Sequence, residues 1–203
     1  MRILVACEYS GTVRDAFIRH GHDAMSCDLL ETETEGPHYQ GDVFDIIDDG
    51  WDMMVAHPPC THLSVSGARW FTEGKKDPAL REEALDFVRR LMEAPIDQIA
   101  IENPVSVISS HIRKSDQLIH PWQFGHPEEK RTCLWLKNLP KLKPTKIVHE
   151  EMMKLPKKER HRIWSMTPSE DRGKLRSLFY PGIAEAMAIQ WGKARQFTLE
   201  EFA

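Results

Sequence analysis

The chain opens on Arg2-Ile3-Leu4-Val5-Ala6-Cys7-Glu8-Tyr9-Ser10-Gly11, and this stretch decides the fold. Ile3 to Cys7 is an unbroken apolar run, the pattern of a parallel strand buried on both faces. Glu8-Tyr9-Ser10-Gly11 reads as a turn. Thr12 to His20 has helical spacing, with Val13, Ala16, Phe17 and His20 as candidates for its buried face. Gly21 suits the left-handed cap that ends it. Ala24 to Cys27 is a second strand, closed by Asp28. Strand, glycine turn, helix, strand, acid is how a nucleotide-binding α/β fold begins. Backbone can approach a ligand closely at Gly11, and a carboxylate at Asp28 can bond a pair of ribose hydroxyls. There is no Gly-x-Gly-x-x-Gly, so an adenosine-type ligand without a pyrophosphate fits better than a dinucleotide.

Working outward, Glu31 to Gly36 is an acidic loop expected to be mobile. Gly41-Asp42-Val43 leads into a short helical turn carrying Phe44, Ile46 and Ile47. Asp42 is either a second acid at a strand end or a helix N-cap. Trp51 to His57 contains the buried strand Met53-Met54-Val55-Ala56. Pro58 and Pro59 end it, since neither has an N–H for a ladder. Cys60 follows at the mouth of a long loop reaching to about Asp77. That loop mixes Ser64, Ser66, Gly67, Arg69, Trp70 and Phe71 with Lys75 and Lys76, a composition suited to nucleic acid or to a lid. An amphipathic helix starts at Asp77 or Pro78, with Leu80, Ala84, Leu85, Val88, Leu91 and Met92 on one face. Ile96 to Ile101 is the next buried strand, with Glu102-Asn103-Pro104 at its end. A lone Pro-Pro-Cys is a weak signal, and many cysteines are small core residues. Cys60 and Glu102, however, both terminate strands expected to be adjacent and parallel, which sets them on one edge of the sheet.

The 203 residues suit one well-packed domain of α/β class with a mainly parallel sheet and a Rossmann-like organisation. The expected strands lie near 2–7, 23–28, 52–57 and 97–102. Thr132 to Leu136 is the best late strand, and Ile183 to Trp191 a final helix. Cys7, Cys27, Cys60 and Cys133 have no paired spacing, so neither a zinc ribbon nor a disulfide framework is expected, and no bound metal. No apolar run approaches the roughly 20 residues that span a bilayer, and no signal-peptide pattern opens the chain, so a cytoplasmic protein is expected. Nothing in the sequence speaks to oligomeric state. The net charge of −4 hides a division. Residues 1–105 hold 9 Lys+Arg against 20 Asp+Glu, and residues 106–203 hold 18 against 11. A basic half is either the footprint of a polyanion partner or a set of solvated lysines.

These motifs resemble those of the DNA cytosine-5 methyltransferases, in a compact form like those of phages and prophages. His57-Pro58-Pro59-Cys60, with Ser64 and Gly67, resembles the family's nucleophile loop. Ile101-Glu102-Asn103 resembles its Glu-Asn motif. Glu8, Tyr9, Ser10, Gly11, Asp28, Leu29, Asp42, Val43, His57 and Pro58 fall where the family places its S-adenosylmethionine contacts. Pro181-Gly182-Ile183-Ala184 resembles its closing motif. The chain departs from the family at Thr61, where Gln is usual, and at Pro104, where Val is usual. It also has no room for the usual target recognition domain. The division implied is a cofactor and catalytic core over 1–110, a basic variable region over 111–176 and a returning helix over 177–203.

The resemblance implies methylation of cytosine carbon 5 in DNA. Cys60 would add to the neighbouring carbon 6, and Glu102, its pKa raised by partial burial, would act as the acid at ring N3. Ser64, Arg69, Lys130, Arg131, Lys157, Lys158, Arg160 and Arg162 are the candidate contacts to DNA. Two other readings stay open: a catalytically idle module that binds nucleic acid or protein, and an enzyme acting on free cytosine nucleotides. A zinc deaminase would need a second nearby cysteine, which is missing. His57, Cys60 and His62 would crowd a metal in an extended loop.

Overall fold

The computed structural model describes residues 1–67, 71, 73–167 and 178–193. The chain runs β1 (Arg2–Ala6), α1 (Thr12–Arg19), β2 (Asp23–Asp28), β3 (His38–Gln40), β4 (Met53–Ala56), α2 (Ala79–Met92), β5 (Gln98–Pro104), α3 (Ile108–His111), β6 (Gln117–Ile119) and β7 (Thr132–Lys137). Three short helices follow, α4 (His149–Lys154), α5 (Lys157–Arg160) and α6 (Arg162–Ser165), and then α7 (Pro181–Trp191).

The strands form one sheet in the order β3-β2-β1-β4-β5-β7-β6. Every pairing from β3 across to β5 is parallel, and β7 runs antiparallel to both of its neighbours. The four strands expected in the first half are present, and Thr132–Lys137 matches the late one. β3 and β6, at three residues each, are too short to show periodicity. Residues 117–137 of the basic stretch thus supply two strands of the central sheet.

Alternation across the sheet divides the core in two. Val5, Val55 and Ala100 lie in register and face α1 and α7; Leu4, Met54 and Ile99 lie in register and face α2. Strands buried on both faces explain the continuous apolar runs. Truncating a fully buried side chain such as Met54 to alanine would cost about 2–5 kcal/mol. Pro181 starts α7, where its missing N–H is no loss. The next position must be glycine, because a Cβ on Gly182 would lie 2.0 Å from the Phe124 carbonyl oxygen.

From β1 the chain winds outward to β2 and β3, then returns to β4 and β5 on the other side. The order therefore reverses between β1 and β4, and the crevice beyond their carboxyl ends is where open α/β sheets bind ligands. The His57 N–H donates to the Ala6 carbonyl at 2.9 Å, carrying this pairing to the lip of the crevice.

The acidic loop is tied to the body of the fold by hydrogen bonds. Arg14, on α1, is fully buried beneath it. Its guanidinium donates to Ser26 and Thr32 hydroxyls, the Thr34 hydroxyl and carbonyl, and the Glu35 carbonyl. Glu33 N–H adds a bond to the Tyr9 carbonyl at 2.8 Å. A buried charge must be paired or fully hydrogen-bonded: Asp15 pairs the guanidinium at 2.8 Å, and the loop supplies most of its other acceptors. Composition shows the loop's charges but not the arginine beneath it.

Candidate active site

Asn103 and the segment after it hold the cysteine loop in place. The Asn103 amide donates to the Pro58 carbonyl at 2.8 Å. Beyond Cys60, Val107 N–H donates to the Leu63 carbonyl at 2.9 Å and Val65 N–H to the Val105 carbonyl at 3.3 Å, with Ser64 bridging Ser106. Cys60 lies between these anchors. Its carbonyl accepts from Leu63 and Ser64 N–H, which folds the loop into a tight turn. The Cys60 loop is thus tied to the end of the strand that carries Glu102, on one edge of the sheet. Arg69 and Trp70 lie outside the described residues.

Glu102 is 8% exposed, and its Oε2 lies 3.2 Å from His57 Nδ1. Phe179 packs on the His57 ring, with centroids 4.7 Å apart. The expectation for Glu102 was a raised pKa. Burial does push it up, but the His57 hydrogen bond and the positive charge of Lys130 outweigh burial and hold the carboxyl below its ordinary value. The reversal comes from two groups distant in sequence. Lys130 also lies 5.6 Å from the centre of the Tyr180 ring.

At the first turn the side chains divide into two sets. Cys7 takes a left-handed conformation, φ 59°, which is rare outside glycine. Glu8, 4% exposed, then folds under α1 and accepts from Val13 N–H at 2.7 Å and Arg14 N–H at 3.1 Å. Its carboxylate fills the positive end of the helix. Gly11 has φ 73°, and a Cβ there would lie 2.1 Å from the Thr34 hydroxyl. The close approach that this glycine permits is taken by the acidic loop. Val43 is buried, and Asp42 caps the Val43–Asp45 turn through Phe44 N–H at 3.0 Å. Asp28 and Asp42 lie close enough to β1 and β2 to push the Cys7 and Cys27 thiols up, after burial as the main cause. Leu29, beside Asp28, is exposed. Tyr9, Ser10, Asp28, Leu29 and Asp42 therefore border the carboxyl edge. Glu8 and Val43 support it from within, and His57 turns toward Glu102.

The basic residues also divide. Arg162 donates to Glu128 Oε1 at 3.0 Å, and Tyr180 donates to Oε2 of the same carboxylate at 2.9 Å. Arg160 folds onto the Met153 sulfur at 3.0 Å. Lys157, Lys158 and Arg131 are exposed. An open hollow of about 480 Å³ is lined by Lys157, Lys158, His161, Trp164 and Ser165, with Trp164 63% exposed. Phe179 and Trp164 carried no sequence signal, and Lys130, expected as a DNA contact, instead lies within charge range of Glu102. Lys130 comes near Glu102 only because β7 runs back along β5, with Thr132 opposite Pro104. Among the described residues no helix is long and apolar enough to cross a membrane.

No protein-family model matches the chain, and no curated protein sequence does. Solved structures do. One is the Entamoeba histolytica methyltransferase EhMeth, at 16% identity and a TM-score of 0.50, covering 72% of this chain and 57% of that one. Another is described as a candidate DNA modification methyltransferase encoded within an E. coli prophage, at 16% identity and a TM-score of 0.49, covering 77% of this chain and 56% of that one. The chain spans a little over half the length of either protein. The likeness is one of fold: a mixed α/β architecture on a mostly parallel seven-stranded sheet.

Proposed function

We propose that this chain is an S-adenosylmethionine-dependent methyltransferase acting on carbon 5 of cytosine in DNA, through an adduct to Cys60. The observation that carries this reading is the attachment of the Cys60 loop to the Glu102-Asn103 strand end, through Asn103, Val105 and Val107. Carbon 5 of cytosine is a poor nucleophile. A thiolate adding at carbon 6 makes carbon 5 electron-rich, and sulfur both attacks and leaves well. The charge that develops on the ring needs an acid at N3, the role proposed for Glu102. In duplex DNA the base must first be turned out of the stack.

The first turn fits the proposed cofactor. A helix N-terminus ordinarily invites phosphate, but here Glu8 already occupies it. A cofactor without phosphate suits that arrangement, and S-adenosylmethionine has none. When bound, it would supply a methyl group on a positively charged sulfur. Tyr9 and Ser10 would border it, with Asp28 as the acceptor for ribose hydroxyls and Leu29 and Asp42 alongside. The exposed Lys157, Lys158 and Arg131 are the proposed phosphate contacts. The chain is read as one methyltransferase-like domain, with residues 111–176 doing part of the work of a recognition element.

The test is to incubate the protein with labelled S-adenosylmethionine and cytosine-containing DNA, RNA or dCMP. Label should enter DNA as 5-methylcytosine. Label in dCMP alone would favour nucleotide chemistry. Cofactor binding without transfer to any of the three would favour an idle module.

A further inference from the structure

We propose that His57 is the proton store for Glu102. It would lend a proton through the carboxylate to cytosine N3 when Cys60 attacks, and recover it when the product forms. This role rests on the cytosine-5 reading above. The geometry comes first. His57 Nδ1 lies 3.2 Å from Glu102 Oε2, and both side chains are largely buried. Phe179 covers the imidazole ring, and His57 Nε2 is buried with no hydrogen-bond partner among the described residues. Lys130 faces Glu102 with its positive charge, and Cys133 on β7 lies within range of the Glu102 charge. The need for a store follows from the same neighbours. A carboxyl held below its ordinary range carries no proton of its own at neutral pH. The proton for N3 must therefore enter from a group in contact with Glu102, and the imidazole makes that contact.

The exchange balances. His57 begins as the imidazolium, protonated on both nitrogens, and Glu102 as the carboxylate. As the bond from Cys60 sulfur to carbon 6 forms, the Nδ1 proton passes to Glu102 and on to N3, leaving the carboxylate and a neutral ring protonated at Nε2. Carbon 5 gains its methyl group and then loses its own proton to water. The C5–C6 double bond re-forms and expels the thiolate. N3 returns its proton through Glu102 to Nδ1. The pair ends as it began, so a buried imidazole needs no supply from solvent within a turnover.

His57→Asn separates this role from simple positioning. Its amide can stand where Nδ1 stands and still donate to Glu102, but it holds no transferable proton. Adduct formation with 5-fluorocytosine DNA should slow about a hundredfold in His57→Asn, the usual scale of general acid–base assistance, with DNA affinity unchanged. Independently of activity, the carboxyl carbon of Glu102, followed by NMR, should titrate at higher pH in His57→Phe, which cannot donate. His57→Gln provides a second variant without a transferable proton if His57→Asn does not fold. A His57→Asn protein that forms the adduct at the wild-type rate would overturn the proton store while leaving the cytosine-5 reading intact. So would an unchanged Glu102 titration in His57→Phe. No adduct in the wild type would overturn the cytosine-5 reading, and this role with it.

Discussion

The Asn103 side-chain amide donates to the Pro58 carbonyl across 2.8 Å, joining the end of β5 to the loop that carries Cys60. Asn103 is 1% exposed, so nothing outside the protein can replace that bond. Asn103→Ala should cost about 1–3 kcal/mol by leaving the Pro58 carbonyl unsatisfied. It should also reduce activity by more than the loss of folded protein explains. Asn103→Asp should be worse, since an acceptor would then face an acceptor. Denaturant unfolding together with activity per folded molecule checks both.

Glu8 should prove a structural residue. Its carboxylate caps α1 from three residues before Gly11, which makes no side-chain cap of its own. Glu8→Ala should destabilise the fold by about 1–2 kcal/mol, the upper range for loss of a cap. Glu8→Gln should recover part of that, because one oxygen can still accept. Thermal unfolding of the two variants is the measurement.

Arg14 should control the order of the loop above it. Arg14→Met keeps an apolar stem but removes every bond to Ser26, Thr32, Thr34 and Glu35. Amide exchange should then accelerate across residues 32–36, with little change in β4 or β5. Gly36→Ala should have a milder form of the same effect, since its Cβ would lie 2.8 Å from the guanidinium.

The basic residues should separate into two behaviours. Lys157→Ala with Lys158→Ala should weaken DNA binding across sequences and flatten its salt dependence by roughly 0.9 in slope for each phosphate no longer neutralised. Arg162→Ala should instead lower the melting temperature, because it breaks the bond to Glu128 that Tyr180 shares. Binding titrations at several salt concentrations, with melting curves for each variant, distinguish the two.

What could be read in advance follows from range along the chain. β1, β4 and the first part of β5 are continuous apolar runs because they are buried on both faces, so a local window suffices to find them. The placing of Cys60 and Glu102 on one edge followed from parallel strands ending together. Asp42 was legible only as two alternatives, and the cap to Phe44 is what the chain makes of it. The rest depended on contacts that no window contains. Lys130 reaches Glu102 through the reversed direction of β7, and Phe179 reaches His57 from the far end of the chain. The His57 hydrogen bond and the Lys130 charge reversed the expected direction of the Glu102 pKa. Arg14 gives no sign in the sequence of its burial beneath the loop.

The most direct test of the account is covalent. Loss of the carbon 5 proton is the step that frees the product, and fluorine cannot leave in its place. Wild-type protein with S-adenosylmethionine and DNA containing 5-fluorocytosine should give a complex that survives denaturation and carries the label on the peptide containing Cys60. Cys60→Ser should abolish it, because an alcohol is a far weaker nucleophile at neutral pH. Cys7→Ser, Cys27→Ser and Cys133→Ser should leave it intact. Undiminished methylation by Cys60→Ser, or no complex with the wild-type protein, would contradict the account.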